Sequence, residues 1–96
     1  QFPGGVMEMV RHIQKKLNYP QVAIENNYTG KCYLQFVVDT EGKISSVKVL
    51  RGVPSCPECD KEAIRVLKGM PNWNPGKIKG KDVSSYFTMP IDFQLE

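Results

Sequence analysis

Two cysteines, Cys56 and Cys59, form a Cys-Pro-Glu-Cys motif just before a predicted helix. A helix N-terminus lowers the pKa of a nearby thiol, so this setting fits a redox dithiol. It also fits a small structural disulfide in an oxidising compartment, or a Cys59 that is simply a buried apolar residue. Thioredoxin-type sites follow a strand, whereas a long loop precedes this motif, which argues against redox catalysis.

The other residues capable of chemistry are isolated along the chain. Cys32 and His12 could complete a Cys₃His zinc site with the cysteine pair, but no spacing places them beside it. His12 is the only histidine, and we expect it to be solvated on the polar face of a helix. Residues 75–81 contain glycines and lysines without the spacing of a phosphate loop, which indicates a solvated turn that could steer an acidic partner. We therefore expect neither an enzyme nor a bound cofactor or metal.

The composition is that of one small globular domain. The 96 residues are 41% hydrophobic and 24% charged, enough for one core and no second domain. A net charge of +3 with dispersed lysines gives no nucleic-acid footprint. No apolar run approaches the roughly 18 residues of a membrane span, and no signal peptide opens the chain. Because the first residue is Gln1, we expect a fragment or a processed form, and any anchor would lie upstream.

Apolar spacing predicts the order helix, helix, strand, strand, helix, strand. The predicted helices lie at 6–17, 20–27 and 60–70, and the predicted strands at 31–38, 44–50 and 83–95. Residues 39–42 form a hairpin turn, residues 51–58 and 72–82 are loops, and Trp73 is a lid on the core. This order predicts an α+β fold, a small three-stranded antiparallel sheet with helices packed on one face.

The last predicted strand, residues 83–95, has the clearest pattern. Apolar and polar residues alternate along it, and only Ser85 interrupts the apolar row. Pro90 lies inside this strand, and proline, which has no N–H to donate, is tolerated at a sheet edge or at a bulge. An edge strand with open backbone groups is a surface onto which a peptide can add.

The position of Pro90 also predicts which residues face the open side. In an antiparallel strand, the N–H and C=O of one residue point to one side and those of the next residue to the other. If Pro90 points away from the neighbouring strand, then Ser84, Tyr86 and Thr88 keep free donors and acceptors for a partner. The alternative is a bulge at Pro90, with the edge covered by a loop or by a second copy of the chain.

These elements and motifs together resemble the C-terminal domain of the TonB family, the periplasmic energy transducers of Gram-negative bacteria. The matching residues are Tyr19-Pro20, Ala23, Gly30, Phe36, Val38, Gly42, Val47, Val49, Asp60-Lys61-Glu62-Ala63, Trp73-Asn74-Pro75-Gly76-Lys77 and Pro90-Ile91-Asp92-Phe93. The lead-in Phe2-Pro3-Gly4-Gly5 resembles that of Bacteroidota members. Cys59 takes a position where many relatives carry leucine, which favours a buried role for this residue.

The resemblance implies a non-enzymatic domain whose last strand pairs with the TonB box, a short segment of outer-membrane transporters. It further implies that Tyr19 and Pro20 lie near the bound segment. Proton-driven motor proteins of the inner membrane would pull on the domain through an anchor upstream of Gln1. The domain would then lie in the periplasm, as a monomer or as a strand-swapped dimer.

Two other functions stay open at this point. The same domain could end a membrane sensor or regulator peptidase, in which case the fold would be the same and the ligand different. The third hypothesis is a redox module built on Cys56 and Cys59. The upstream sequence would distinguish the transducer from the regulator. A transducer has one helix and a Pro-rich spacer there, whereas a regulator has several membrane spans or a metal motif.

Overall fold

The computed structural model describes residues 2–94 of the chain. Its elements are α1 (Gly5–Lys16), α2 (Gln21–Asn26), β1 (Gly30–Val38), β2 (Ile44–Arg51), α3 (Pro57–Lys68), β3 (Gly76–Ile78), β4 (Lys81–Val83) and β5 (Ser85–Phe93). None of the helices in this part of the chain is both long and apolar enough to span a bilayer.

The core lies on one face of a three-stranded antiparallel sheet with the order β2-β1-β5. Alternate residues of β1 point into it, and they are fully buried because the strand is central in the sheet. β5 contributes Met89, Ile91 and Phe93, while α3 packs Ala63 and Leu67 against the same face. The predicted α+β fold is confirmed.

The turn between β1 and β2 is organised by one aspartate. Asp39 Oδ1 accepts hydrogen bonds from the backbone N–H groups of Glu41 and Lys43, both at 2.9 Å. Gly42 follows with a φ of 83°, a left-handed conformation that favours glycine. These contacts fix the register in which β2 returns along β1.

The third helix begins earlier than the sequence indicates. We predict its start near Asp60, whereas α3 begins at Pro57 and the loop prediction is wrong for Pro57 and Glu58. The reason is the cap: the Cys59 N–H donates to Cys56 Sγ at 3.1 Å, and proline is well suited to the first helical position. Asp60 then lies in the first turn, where its charge complements the helix dipole.

The single strand predicted from Val83 is wrong at its start. Val83 pairs with Gly76 in a separate two-stranded hairpin, β3–β4. The rest of this hairpin lies within residues 72–82, which we predict to be a loop. Lys79 and Gly80 turn this hairpin with φ of 51° and 79°, the two positive values that a tight two-residue turn requires. Ser84 lies between β4 and β5, and Leu95, the predicted end of the strand, lies outside the described residues.

Candidate functional site

β5 forms one edge of the main sheet. It pairs with β1 from Gly30↔Phe93 to Val38↔Ser85 without a register shift, and within residues 2–94 no strand pairs with its other side. Pro90 lies inside this unbroken ladder, opposite Tyr33. The irregularities of β1 occur on its β2 side. The ladder therefore has an edge at β5 and no bulge at Pro90.

The unbroken ladder determines the direction of the backbone groups of β5. Since proline donates no hydrogen bond, an intact ladder indicates that Tyr33↔Pro90 is a pair without mutual hydrogen bonds. The pairs Gln35↔Thr88 and Val37↔Tyr86 lie two and four residues further along the ladder. Because the two pair types alternate, they too are pairs without mutual hydrogen bonds. The N–H and C=O groups of Tyr86 and Thr88 accordingly point away from β1, toward the open edge.

The side chains of β5 divide between two faces. Tyr86 is 77% exposed and Thr88 is exposed beside it, whereas Met89 and Ile91 are buried in the core. Ser84, which we predict to belong to the same row, precedes β5 and is outside the ladder. The structure thus brings Tyr86 and Thr88 together on one solvent-facing surface, with Ser84 next to its beginning.

On the core side of the sheet, α1 lies along β5 without closing against it. No residue of α1 is fully buried, and Val6, Met7 and Val10 are exposed by 67%, 75% and 42%. Two hollows separate α1 from β5 and share Pro90. Helix α1 therefore covers the edge of the core only in part.

The first hollow, here called the Trp73 cleft, has a volume of about 350 Å³. Its lining residues are Phe2, Val6 and Met9 from α1 and its lead-in, residues 87–90 from β5, and Phe36 and Trp73 as the floor. The second hollow, here called the Asp92 cleft, has a volume of about 600 Å³ and contains polar groups. Its lining residues are Val10, Ile13, Gln14, Leu17, Pro90, Ile91, Asp92 and Gln94.

Trp73 is the centre of an aromatic cluster. Its ring centroid lies 5.7 Å from that of Phe2, 5.2 Å from that of Phe36 and 5.3 Å from that of Phe87. The indole is buried, as expected for a lid on the core, but its Nε1–H has no hydrogen-bond partner among the described residues. A buried donor in this state is uncommon in native proteins.

Tyr19 and Pro20 lie at the other end of β5. The Tyr19 ring meets Phe93 edge-on at 5.5 Å, and its hydroxyl donates to the Tyr28 carbonyl. Burial raises the pKa of Tyr19, and the charge of Asp92 adds to the effect. Phe93 is seven residues from Tyr86, roughly 23 Å along an extended strand. The structure therefore does not bring Tyr19 and Pro20 together with Tyr86 and Thr88.

An ion pair on α3 holds the segment that carries Tyr19. Arg65 donates to Glu62 at 2.6 and 2.7 Å and to the Lys16 carbonyl at 2.8 Å. Glu62 also accepts from the Asn18 N–H at 2.6 Å. The hydrogen bond from Arg65 is the main cause that lowers the pKa of Glu62, and the Asn18 bond acts in the same direction.

The cysteines lie inside the core rather than at a reactive surface. Cys56 and Cys59 form a disulfide with a Cα–Cα distance of 5.3 Å, and both side chains are buried. Cys32 is a free, buried thiol whose pKa is raised to about 12 by burial and, secondarily, by Asp60. Across residues 2–94, no three His, Cys, Asp or Glu residues form a group that could hold a metal ion.

The amino-acid sequence alone does not predict the two clefts. Their only sequence signal is an excess of apolar residues on α1, since Val6, Met7, Met9 and Val10 are more than one buried stripe needs. Periodicity alone cannot separate residues that seal a core from residues that line a cleft.

Comparison with known proteins agrees with this geometry. The family model described as Gram-negative bacterial TonB protein C-terminal matches residues 15–95. Two NMR solution structures of the Helicobacter pylori TonB C-terminal domain are similar, with TM-scores of 0.75 and 0.71 at 19% and 18% identity. They cover 99% and 92% of this chain, and the matches cover 89% and 90% of those chains.

A third similar structure is the solution NMR structure of the Pseudomonas aeruginosa TonB C-terminal domain. It has a TM-score of 0.66 at 26% identity, over 82% of this chain and 78% of that one. No curated protein matches the chain.

Proposed function

Since this chain belongs to the family of Gram-negative bacterial TonB C-terminal domains, we propose that it is the peptide-binding domain of an energy transducer. The ligand is the TonB box of an outer-membrane transporter, which adds to β5 as a further strand. The domain works in the periplasm without catalysis. An inner-membrane anchor connects it to motor proteins, and through that connection proton-motive force drives nutrient uptake.

The observation that supports this proposal is the open edge of β5. Main-chain hydrogen bonds supply most of the affinity when a peptide adds to a sheet edge. Tyr86 and Thr88 offer their N–H and C=O groups there, because the β1–β5 ladder continues through Pro90 without a shift. Pro90 offers only its carbonyl, so it ends the stretch of the edge that can both donate and accept.

Tyr19 and Pro20 contact the far part of the ligand in this proposal. The Tyr19 ring packs edge-on against Phe93, the last residue of β5. A partner strand that begins beside Tyr86 reaches Phe93 after about seven residues. A longer ligand therefore meets both groups, whereas a ligand that ends beside Pro90 meets only Tyr86 and Thr88.

An NMR titration of the ¹⁵N-labelled domain tests the proposal. The ligands are TonB-box peptides from outer-membrane transporters of the same organism, and scrambled peptides of equal composition are the controls. We expect saturable shifts concentrated in residues 85–90, and near Tyr19 for the longer peptides. A well-folded spectrum that none of the peptides changes would refute the proposal.

A further inference from the structure

A strand that adds to β5 must place half of its side chains beneath α1. Side chains alternate between the faces of a sheet, and neighbouring strands keep their facing side chains in register. Every second residue of an added strand therefore lies on the face that carries Phe87, Met89 and Ile91. That face is where α1 covers the sheet edge incompletely.

The space available on this face differs along the strand. Beside Phe87 and Met89 it is the Trp73 cleft, whose volume of about 350 Å³ is at the lower end of the roughly 300–1,000 Å³ typical of ligand pockets. Beyond Pro90 it is the Asp92 cleft, which Gln14 lines together with apolar residues of α1 and with Ile91. The side chain of Asp92 is exposed, on the face of β5 opposite to Ile91. The hollow beside Phe87 and Met89 is therefore the more apolar of the two.

The rim of the Trp73 cleft is open to solvent. The side chain of Val6 at this rim is 67% exposed. The indole of Trp73, 6% exposed, forms part of the lining, and its buried N–H has no acceptor in the described part of the chain. A side chain that enters the cleft would cover Val6 and change the surroundings of the indole, while an apolar one would leave this N–H without an acceptor.

We propose that the Trp73 cleft is a specificity pocket that takes one large apolar side chain of the strand added to β5. This inference rests on the proposed function. The side chain belongs to the residue opposite Phe87 or Met89, and Val6 and Met9 cover it from α1.

The expected effect follows from the area that the side chain buries. Full burial of a leucine- or phenylalanine-sized side chain raises affinity by about 10-fold or more. Replacing that one residue of the partner by alanine should cost this factor. The same replacement at the adjacent positions, which face Tyr86 and Thr88 on the exposed side of the sheet, should cost about 3-fold at most, since those groups stay in water.

The chain offers a direct reporter and a matched pair of variants. Trp73 is the only tryptophan, so a single indole N–H resonance reports on the cleft. Val6 and Met7 are neighbours in α1 and are similarly exposed, but only Val6 lines the cleft. Val6→Glu and Met7→Glu add the same charge at adjacent positions, and neither removes a buried group.

In the experiment, wild type and both variants are titrated with the TonB-box peptide that gives the largest shifts at residues 85–90, and with its single-alanine versions. We expect the Trp73 indole resonance to shift with the same midpoint as the edge resonances. Val6→Glu should weaken binding by about 10-fold, and Met7→Glu by less than 2-fold.

Three outcomes would overturn the proposal, and they are distinguishable from one another. If the edge resonances shift while the indole does not, and Val6→Glu binds as Met7→Glu does, the pocket is refuted and the proposed function stands. If no peptide shifts the edge of the wild-type domain, both are refuted. An indole shift produced by phosphatidylethanolamine–phosphatidylglycerol vesicles, and by no peptide, would identify the occupant as a lipid chain and also refute the pocket.

Discussion

Gly42 and Trp73 meet through their backbones: the Trp73 N–H donates to the Gly42 carbonyl at 2.7 Å. The two residues lie on separate loops, and they come so close that a Cβ on Gly42 would overlap the Trp73 carbonyl oxygen. The β1–β2 turn therefore holds the corner after α3, and with it the floor of the Trp73 cleft.

Replacing Gly42 by alanine tests this contact. The φ of 83° is unfavourable for alanine, and the methyl group would also collide with backbone that cannot move aside. We expect Gly42→Ala to lower the free energy of unfolding by about 3 kcal/mol or more. Gly80→Ala is the control, because Gly80 has a φ of 79° but nothing within 4 Å, and it should cost only about 1–2 kcal/mol. Urea unfolding measures both, and equal losses would contradict the role of the contact.

Proline scanning along β5 tests the direction of its backbone groups. Tyr86→Pro removes an N–H that points to the open edge, so peptide binding should fall by more than about 10-fold while the fold persists. Phe87→Pro removes an N–H that points to β1, so it should destabilise the domain by about 3 kcal/mol or more. Tyr86→Ala, which keeps the N–H, is the control for the lost side chain. Unchanged binding by Tyr86→Pro would refute the edge assignment.

The Glu62–Arg65 pair should make stability depend on pH. The pKa of Glu62 is lowered in the folded state, so its contribution is present above the ordinary value of 4.5 and is lost as the pH falls through the lower, folded-state value. We expect Glu62→Gln to unfold at lower urea than wild type at pH 7. This difference should shrink steadily below pH 4.5. Glu25→Gln, at an exposed site on α2, should show no such convergence; a constant gap for Glu62→Gln would argue against the pair.

The buried thiol should be unreactive in the folded domain. Burial raises the pKa of Cys32 to about 12, so almost no thiolate exists at pH 8, and the side chain is fully covered. We expect iodoacetamide to modify Cys32 only after unfolding in urea, as followed by mass spectrometry. Rapid modification of the native domain at pH 8 would contradict this placement.

The Cys56–Cys59 disulfide should contribute modestly to stability. It closes a loop of only four residues, for which the chain-entropy model gives about 2 kcal/mol. Reduction by a phosphine should therefore lower the free energy of unfolding by about this amount in wild type. The Cys56→Ala/Cys59→Ala variant is the control and should be insensitive to the reductant. A loss above 4 kcal/mol, or none, would show that other effects dominate.

The fold could be predicted from local signals, because each one acts within a few residues. Pro20 and Asn27 bound α2, the alternation along β1 identifies its buried face, and Pro90 alone assigns β5 to an edge. The predictions fail where a short local signal overrides the apolar periodicity. Lys79-Gly80 turns the β3–β4 hairpin, and the Cys56 cap with Pro57 starts α3 early.

The site could be predicted only in part. The backbone direction at Tyr86 and Thr88 follows from sequence alternation and one proline. The clefts do not, because they depend on how far α1 stands from β5, and α1 is held by contacts remote in sequence such as Arg65 to Lys16. Contacts remote in sequence also place Tyr19 near β5, such as its edge-on contact with Phe93. No local pattern predicts that Tyr19 lies at the Phe93 end of β5 rather than beside Tyr86.

The ladder at the edge of β5 also determines how a bound strand would withstand mechanical load. Hydrogen bonds in an antiparallel pair lie perpendicular to the strands. A pull along the strand axis therefore shears all of them at once, whereas a pull at right angles unzips them one after another. The hydrogen bonds at Tyr86 and Thr88 would share a tension applied along β5. Even a short ladder would therefore transmit a brief pulling force before the bound strand dissociates.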